Sequence, residues 1–272
     1  MKKTMLLFAA ALVLAAVGCS KDETTNEDVK YVSEIQINFE GEGRISPTPI
    51  ATGLKFKWDE GDMIKVYPKD ATGTDYMQFR YNGTVFEGNT PATDKLEVGQ
   101  EYIAVSNALS DKTAEGTFAG KLSNPVNYAK LPMVTDVFVA SSDATIATMH
   151  HIIGVIEVPV KAANAGTALK EFDVHLPSGT YISGDFTVGA APSYTVTVGS
   201  TKYNNISIQY DTPLELSTET PKSLYFPVFP CSGTVQIDYE TTTKTGGFIG
   251  ASTKTLTVQR GKVSKIDVVT LQ

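Results

Sequence analysis

Apolar and polar residues alternate with a period of two along most of the chain beyond residue 30. In the first such segment, Ile35, Ile37 and Phe39 fall on one face of an extended chain, and the residues between them are polar. This alternation is typical of a β-strand with one buried face. It recurs in LKFKW, MIKVY, YMQFRY, EYIAV, KEFDVHL, SYTVTV, NISIQY, SLYFPVF, GTVQIDYE and KTLTVQ. No stretch keeps a helical period over three turns, so we predict an all-β chain.

Turn-forming residues separate these segments at intervals of roughly ten residues. Examples are DEGD at 59–62, Asn82-Gly83 and Arg260-Gly261. Short strands joined by close turns favour antiparallel β-sandwiches, and the chain is long enough for two in tandem. Because the most apolar segment, MHHIIGVIEVPV, follows a polar stretch at 140–145, we predict domains over residues 31–142 and 143–272.

The start of the chain has a different composition. Lys2 and Lys3 precede an apolar run, Met5 to Val17, that is shorter than the roughly 20 residues needed to span a bilayer and is typical of a secretory signal peptide. The run ends in Ala-Val-Gly-Cys19, which resembles the lipobox of bacterial lipoproteins, where the cysteine is acylated and becomes the first residue. We expect a signal peptide over 1–18. The alternative is that Cys19 is only the last apolar residue of an ordinary leader.

Residues 19–30 are predicted to form a tether between a membrane and a folded domain, because Ser20 to Asp28 within this range is polar and mostly charged. Acyl chains such as palmitate, together with a diacylglycerol on Cys19, would anchor the chain stably, whereas one acyl chain alone binds weakly. Ser20 differs from the Asp that typically retains lipoproteins at the inner membrane. Lys21-Asp22-Glu23 resembles the export signal of some surface lipoproteins of Gram-negative bacteria. The predicted location is the outer membrane, on the cell surface.

Charge and composition argue against several other functions. The chain has 30 acidic and 23 basic side chains, a net charge of −7, and no cluster of Lys and Arg. Binding to nucleic acid requires a concentrated basic face, so we predict no nucleic-acid partner.

Few residues suggest catalysis or metal binding. Cys231 lies in a turn-like context, FPCSG, with no His near it in sequence, so it is not predicted to be a nucleophile. His150 and His151 are neighbours on a predicted strand and point to opposite faces, so they cannot bind one metal together; we expect one in the core and one at the surface. The acidic turn at 59–62 lacks the spacing of a calcium loop. We predict no enzyme activity, no cofactor and no metal.

The acidic turn also belongs to a block, W-x-x-G-D-x-I-x-V, in which Trp58, Gly61 and Asp62 have simple structural explanations. Trp58 ends an inward-facing strand, Gly61 supplies a backbone conformation that a side chain would hinder, and Asp62 can accept hydrogen bonds from the turn. The block is therefore predicted to form a hairpin corner.

Several segments occur together in an order that resembles the fimbrillin family, the subunits of major and minor fimbriae of certain Gram-negative anaerobes and their lipoprotein relatives. These segments are Arg44 after the first strand, the Trp58 block, YIAVSNA, DVFVASS, MHHIIGVIEV and KTLTVQRGKVSKIDVV, the last as a closing hairpin with its turn at Gly261. The resemblance spans most of the chain beyond the leader. It implies transthyretin-like sandwich domains and a structural or adhesive fimbrial subunit or anchor.

The resemblance also implies a route of assembly. In fimbrillins an Arg-specific protease cuts after an arginine at this position, here the bond between Arg44 and Ile45, and removes the first strand. Without the resemblance, Arg44 is simply a solvated residue in an extended loop. Removal of EIQINF would leave an apolar groove with unpaired backbone edges, which a strand of the next subunit can fill.

The implied donor is the C-terminal region, Lys262–Gln272, whose alternation also suits the last strand of its own domain. The implied partners are other fimbrial subunits, identical or different, and ligands on host or bacterial surfaces. The alternative function is a glycan-binding β-sandwich lipoprotein of an uptake system, which does not polymerise.

Overall fold

The alternating segments form strands throughout the described chain. The computed structural model describes residues 29–39, 48–50, 53–55, 58–113, 116–128, 131–189, 194–243, 247–249 and 255–272, with the backbone alone for 48–50, 53–55 and 248–249. These residues form 26 strands and no α-helix, so the prediction of an all-β chain is confirmed. The 26 strands of the described residues lie in the second of the two units into which the chain divides, Met1–Lys30 and Tyr31–Gln272.

The first fourteen strands are β1 Tyr31–Val32, β2 Glu34–Phe39, β3 Thr48–Ile50, β4 Gly53–Lys55, β5 Met63–Pro68, β6 Met77–Tyr81, β7 Phe86–Gly88, β8 Leu96–Glu97, β9 Glu101–Ser106, β10 Leu109–Lys112, β11 Phe118–Leu122, β12 Met133–Thr135, β13 Phe138–Val139 and β14 Ile146–His151. The remaining strands are β15 Gly154–Ala162, β16 Ala168–His175, β17 Ser183–Val188, β18 Val196–Tyr203, β19 Asn205–Glu215, β20 Lys222–Val228, β21 Cys231–Thr234, β22 Gln236–Thr241, β23 Gly247–Ile249, β24 Thr255–Val258, β25 Val263–Lys265 and β26 Val269–Leu271.

Eight strands form one sheet in the order β12-β14-β2-β7-β6-β5-β9-β13. Adjacent strands are antiparallel except for β2 and β14, which are parallel. The end strand β12 also pairs with β9 through Val134 and Val105, so seven of these strands close into a ring. A sheet closed on itself buries its inner face without a second sheet. The inner residues include Ile35, Ile64, Val66, Phe79, Phe86, Ala104 and Met149.

A second core covers the outer face of this ring. Tyr67 on β5 and Ile103 and Val105 on β9 point away from the ring interior and pack in one cluster with residues of the sheet β10-β11-β17-β18, such as Phe118 and Phe186. Strand β9 is therefore buried on both faces over most of its length.

The third core lies between the sheet formed by β20, β15, β25 and β26 and the sheet β19-β16-β22-β23. Strand β15 is buried along almost its whole length, which agrees with its mainly apolar sequence. Three smaller pairs complete the fold: β1 with β8, β3 with β4, and β21 with β24.

Strand pairing crosses the predicted domain boundary after residue 142. Strand β14 pairs with β2, and β17 pairs with β11. The domain ranges 31–142 and 143–272 stay predictions.

Candidate functional site

Strand β2 is one of the seven strands of the closed ring, and it is hydrogen-bonded to a neighbouring strand on each side. It is parallel to β14, with Phe39 opposite Met149, and antiparallel to β7, with Ile35 opposite Phe86. We call the space that β2 occupies between β7 and β14 the β2 slot. Removing β2 would open the ring and leave unpaired backbone groups on both neighbours, which is the kind of edge that pairs with another chain.

The two faces of β2 differ as the alternation predicts. Ile35 is fully buried, and Ile37 and Phe39 are half-buried and pack against the ring core. The intervening side chains, Glu34, Gln36 and Asn38, are exposed. The β2 slot is therefore an apolar groove with three inward-facing positions along its length.

An aromatic cluster closes the Phe39 end of the slot. The Phe39 ring centroid lies 5.2 Å from that of Trp58 and 6.2 Å from that of His151, with which it is stacked at 10°. Trp58 in turn meets Phe86 of β7 edge-on, with centroids 4.9 Å apart. Alternation in the sequence puts Phe39 and Trp58 on inward faces, but it carries no signal that they meet each other or His151.

The turn after Trp58 holds this cluster in place. Gly61 has a φ of +95°, which favours glycine, and its N–H donates to Tyr81 O at 2.9 Å. The N–H of Asp59 donates to Asp62 Oδ2 at 2.7 Å, and the N–H of Asp62 donates to Asp59 O at 3.0 Å. The carboxylate and the backbone N–H of Asp62 thus both form hydrogen bonds within the turn that leads into β5.

The two histidines correct one prediction. His150 and His151 point to opposite faces of β14, but both are buried, at 7% and 8% exposure, so the prediction that one lies at the surface is wrong. The physical reason is that the outer face of β14 is covered at its C-terminal end, where His150 packs beside Tyr194 of the second core. On that outer side, His150 Nε2 lies 2.9 Å from Asp136 Oδ2, and the His150 ring lies beside Tyr194.

Asp136 links these residues. Burial raises the pKa of its carboxyl, but hydrogen bonds from Tyr194 Oη and His150 outweigh burial, and the pKa lies below its usual value. Arg260, whose guanidinium lies 4.6 Å from the Tyr194 ring centroid, acts in the same direction. The cluster joins β14, the turn after β12 and the turn after β24.

The C-terminal segment is paired within its own chain. Strands β25 and β26 both run parallel to β15, and Leu271 is fully buried in the third core. The predicted closing hairpin at Gly261 is wrong: β24 before this turn pairs with β21, whereas β25 after it pairs with β15. Gly261 does form a turn, with a φ of +66°, but the turn carries the chain from one pair of strands to another sheet.

The remaining predicted residues divide into two groups. Cys19, Arg44 and Ile45 lie outside the described residues. Cys231 is partly buried, and burial raises the pKa of its thiol to about 11, which keeps it protonated at neutral pH. In the parts of the chain that the structure describes, no group of three or more His, Cys, Asp and Glu side chains is placed to hold a metal ion. The same parts contain no helix long and apolar enough to cross a membrane.

The fold and the site define an all-β chain in which the first long strand of the described residues completes a closed sheet. No protein-family model matches its sequence, and no curated protein does. Its fold is similar to two solved structures from Bacteroides, both named for a proposed role in cell adhesion. The one from Bacteroides uniformis has a TM-score of 0.57 and 13% identity and covers 88% of this chain and 92% of that one. The one from Bacteroides ovatus has a TM-score of 0.55 and 15% identity and covers 89% and 92%. At these identities the likeness shows the fold.

Proposed function

We propose that this protein is a surface-exposed lipoprotein that serves as a structural or adhesive subunit, or as the anchor, of a fimbrium, and that it assembles by accepting a strand of another subunit into the β2 slot. The observation that carries the proposal is the position of β2, which is the first long strand of the described chain and yet is paired on both sides within the ring. The sequence resemblance to fimbrillins and the names of the two Bacteroides structures support the same function. The proposed role is structural and involves no catalysis.

Cleavage after Arg44 would free the resident strand. The bond lies between β2 and β3, so a cut leaves β1 and β2 attached to the rest of the molecule only by non-covalent contacts. Loss of β2 would expose the pocket of Ile35 and the edges of β7 and β14. An incoming strand restores both the backbone pairs and the apolar contacts, and repetition from head to tail builds a filament.

The same cut would separate the protein from the lipid proposed on Cys19, because Cys19 lies on the released piece. An uncut chain would remain a membrane anchor, and a cut chain would become a subunit that can be incorporated along the fibre.

The test is to treat the purified protein with an Arg-specific protease. The proposal expects a new N-terminus at Ile45 and SDS-resistant complexes of the cut chain, either with further copies of itself or with a peptide of residues 31–43 added as an incoming strand. The matched control is Arg44→Lys, which keeps the charge and removes the cleavage site; it should stay intact and monomeric. The proposal fails if the wild-type chain is cut but binds neither a second copy nor the added peptide, or if the Arg44→Lys variant forms the same complexes.

One observation favours the alternative of a glycan-binding lipoprotein. A hollow of about 450 Å³ is lined by Tyr31, Tyr76 and Tyr102 together with acidic side chains that include Asp75 and Glu97. Aromatic rings beside hydrogen-bonding carboxylates suit a saccharide. Binding to a glycan array by an uncleaved monomer, lost in a Tyr76→Ala variant that still folds, would establish this function in place of assembly.

A further inference from the structure

The β2 slot sets side-chain requirements for any strand that fills it. At its first inward position Ile35 is completely buried opposite Phe86. At the second, Ile37 lies opposite the small, buried Ala147 of β14. At the third, Phe39 fills a pocket between Trp58 and His151 (5.2 and 6.2 Å between ring centroids). A strand that runs parallel to β14 must therefore carry apolar side chains at three alternate positions, with an aromatic ring at the third.

The C-terminal segment of this chain does not have that pattern. Positions 266, 268 and 270 are Ile, Val and Thr, and positions 267, 269 and 271 are Asp, Val and Leu. No set of three alternate positions between Lys262 and Gln272 is wholly apolar, and none contains an aromatic residue. Reversing the direction of the strand does not help, because the same sets are read backwards.

The C-terminal segment is also held firmly where it is. Leu271 is fully buried, Val269 is 7% exposed, and both belong to the third core. The carbonyl of Leu271 accepts a hydrogen bond from Ala163 N–H at 2.7 Å. Lys265 Nζ lies 2.8 Å from the carboxylate of Glu157, which is almost buried on β15. Donating this segment to another molecule would expose apolar side chains that already complete the fold of their own molecule.

We infer that the β2 slot accepts a strand from a different protein, one with apolar, apolar and aromatic side chains at three alternate positions, and not the C-terminal strand of a second copy of this chain. The inference rests on the proposed function, because it assumes that β2 is replaced. Its consequence is that the protein joins a fibre made of unlike subunits and does not build a homopolymer through its own C-terminus.

Trp58 provides the means to test the partner's chemistry, because it is the only tryptophan in the chain and lies in the pocket of Phe39. In the full chain, a site for an unrelated protease replaces residues 41–44, so that cleavage after β2 does not depend on Arg44. A fluorescent label is attached to β2, and the cut protein, with labelled β2 still bound, is mixed with unlabelled peptides that compete for the β2 slot. Release of the label and a red shift of Trp58 emission report departure of the strand.

Four peptides separate the possibilities. The peptide of residues 31–43 should displace the labelled strand, and its Phe39→Ala version should be weaker by roughly tenfold or more. The peptide of residues 262–272 should not displace it even in large excess. The same peptide with Thr270→Phe, which makes positions 266, 268 and 270 Ile, Val and Phe, should gain displacement.

The outcomes are distinguishable. If peptide 262–272 displaces the strand as well as peptide 31–43 does, the inference is overturned and the proposed function survives as a homopolymer. If Thr270→Phe brings no gain, the side-chain rule is wrong. If peptide 31–43 itself does not exchange, the slot does not accept strands, and the proposed function falls together with the inference.

Discussion

Trp58 connects the end of β2 to the strand beside it. The plane of its indole makes an angle of 89° with the ring plane of Phe86 and of 31° with that of Phe39. Both arrangements are favourable for aromatic pairs. Because one side chain contacts two strands of the ring, its loss should weaken the whole sheet and loosen β2 in particular.

We expect Trp58→Ala to lower the free energy of unfolding by about 2–4 kcal/mol, less than a fully buried tryptophan would cost because Trp58 is partly exposed. Trp58→Phe keeps an aromatic ring in the pocket and should cost less than about 1.5 kcal/mol. Urea denaturation, monitored by far-UV circular dichroism, measures the free energy of unfolding of both variants without relying on tryptophan emission. Equal losses in the two variants would show that the ring contacts do not stabilise this corner.

The surroundings of Asp173 raise the pKa of its carboxyl, which makes the stability of the fold depend on pH. Asp173 lies directly opposite Asp238 across β16 and β22. Burial, followed by the negative charges of Glu171 and Asp238, raises its pKa to about 6. The folded state thus binds this proton more tightly than the unfolded state, so the protein loses stability as the pH rises between about 4 and 6.

Asp173→Asn removes that unfavourable charge. Because the side chain is only about half buried, solvent screening reduces the gain, and we expect the variant to be more stable than wild type by about 1 kcal/mol at neutral pH. Near pH 4 the two should be similar. Urea midpoints at the two pH values measure the difference, and Asp211→Asn, on an exposed position of β19, is the control that should show neither effect. A uniform shift at both pH values would mean that the titration of Asp173 does not contribute.

The C-terminal strand β26 is an integral part of the third core. A buried side chain of this strand and an exposed side chain just before it test how much the strand contributes to stability. Leu271 is fully buried, whereas Val268, three residues earlier, is 50% exposed. Leu271→Ala should lower the free energy of unfolding by about 2–4 kcal/mol, and Val268→Ala by less than about 0.5 kcal/mol. Chemical denaturation of the two variants gives the comparison. A small effect of Leu271→Ala would indicate that β26 leaves its place easily and would make it a plausible donor.

Alternation in the sequence predicted most of the strands, because the side-chain period of a strand is visible in any segment with one buried face. It could not predict the partners of those strands. Pairing depends on backbone groups that are the same in every residue, and the register is set by how distant faces pack. For this reason the parallel contact of β2 with β14 could not be foreseen, and the hairpin expected at Gly261 turned out to be a connection between different sheets.

The candidate site was predictable in part for the same reason. Ile35, Ile37 and Phe39 were recognisable as an inward face, and the turn at Gly61 was recognisable from its composition. The burial of both histidines was not, because alternation assumes one solvent-exposed face, and β14 is covered on both faces only at its end, where His150 and His151 lie. In sequence, burial on both faces is indicated only by a continuous apolar run, and the polar histidines give no such signal.

At the scale of the whole molecule, the ring makes the N-terminal segment both part of the fold and separable from it. Strand β2 supplies one member of the closed sheet, but it precedes every other strand of that sheet along the chain. A single cut after it therefore leaves the rest of the ring as one continuous chain. The C-terminal end is not separable in this way, because β25 and β26 pair with β15 in the sheet of the third core.

The proposed lipid anchor, Cys19, lies in the N-terminal segment that a cut after Arg44 would separate. This position leads to a prediction about where the protein is found in the cell. Cys19→Ser should move the protein from the membrane fraction to the soluble fraction, because stable anchoring depends on the acyl groups attached at that residue. Cys231→Ser removes the other cysteine of the chain, which is partly buried beside the third core, and should leave the protein with the membrane. Fractionation of cells, with metabolic labelling by a palmitate analogue, measures both. If the Cys19→Ser protein still sediments with membranes or still takes up the label, the anchor is not on Cys19, and a cut after Arg44 would not by itself release the protein from the surface.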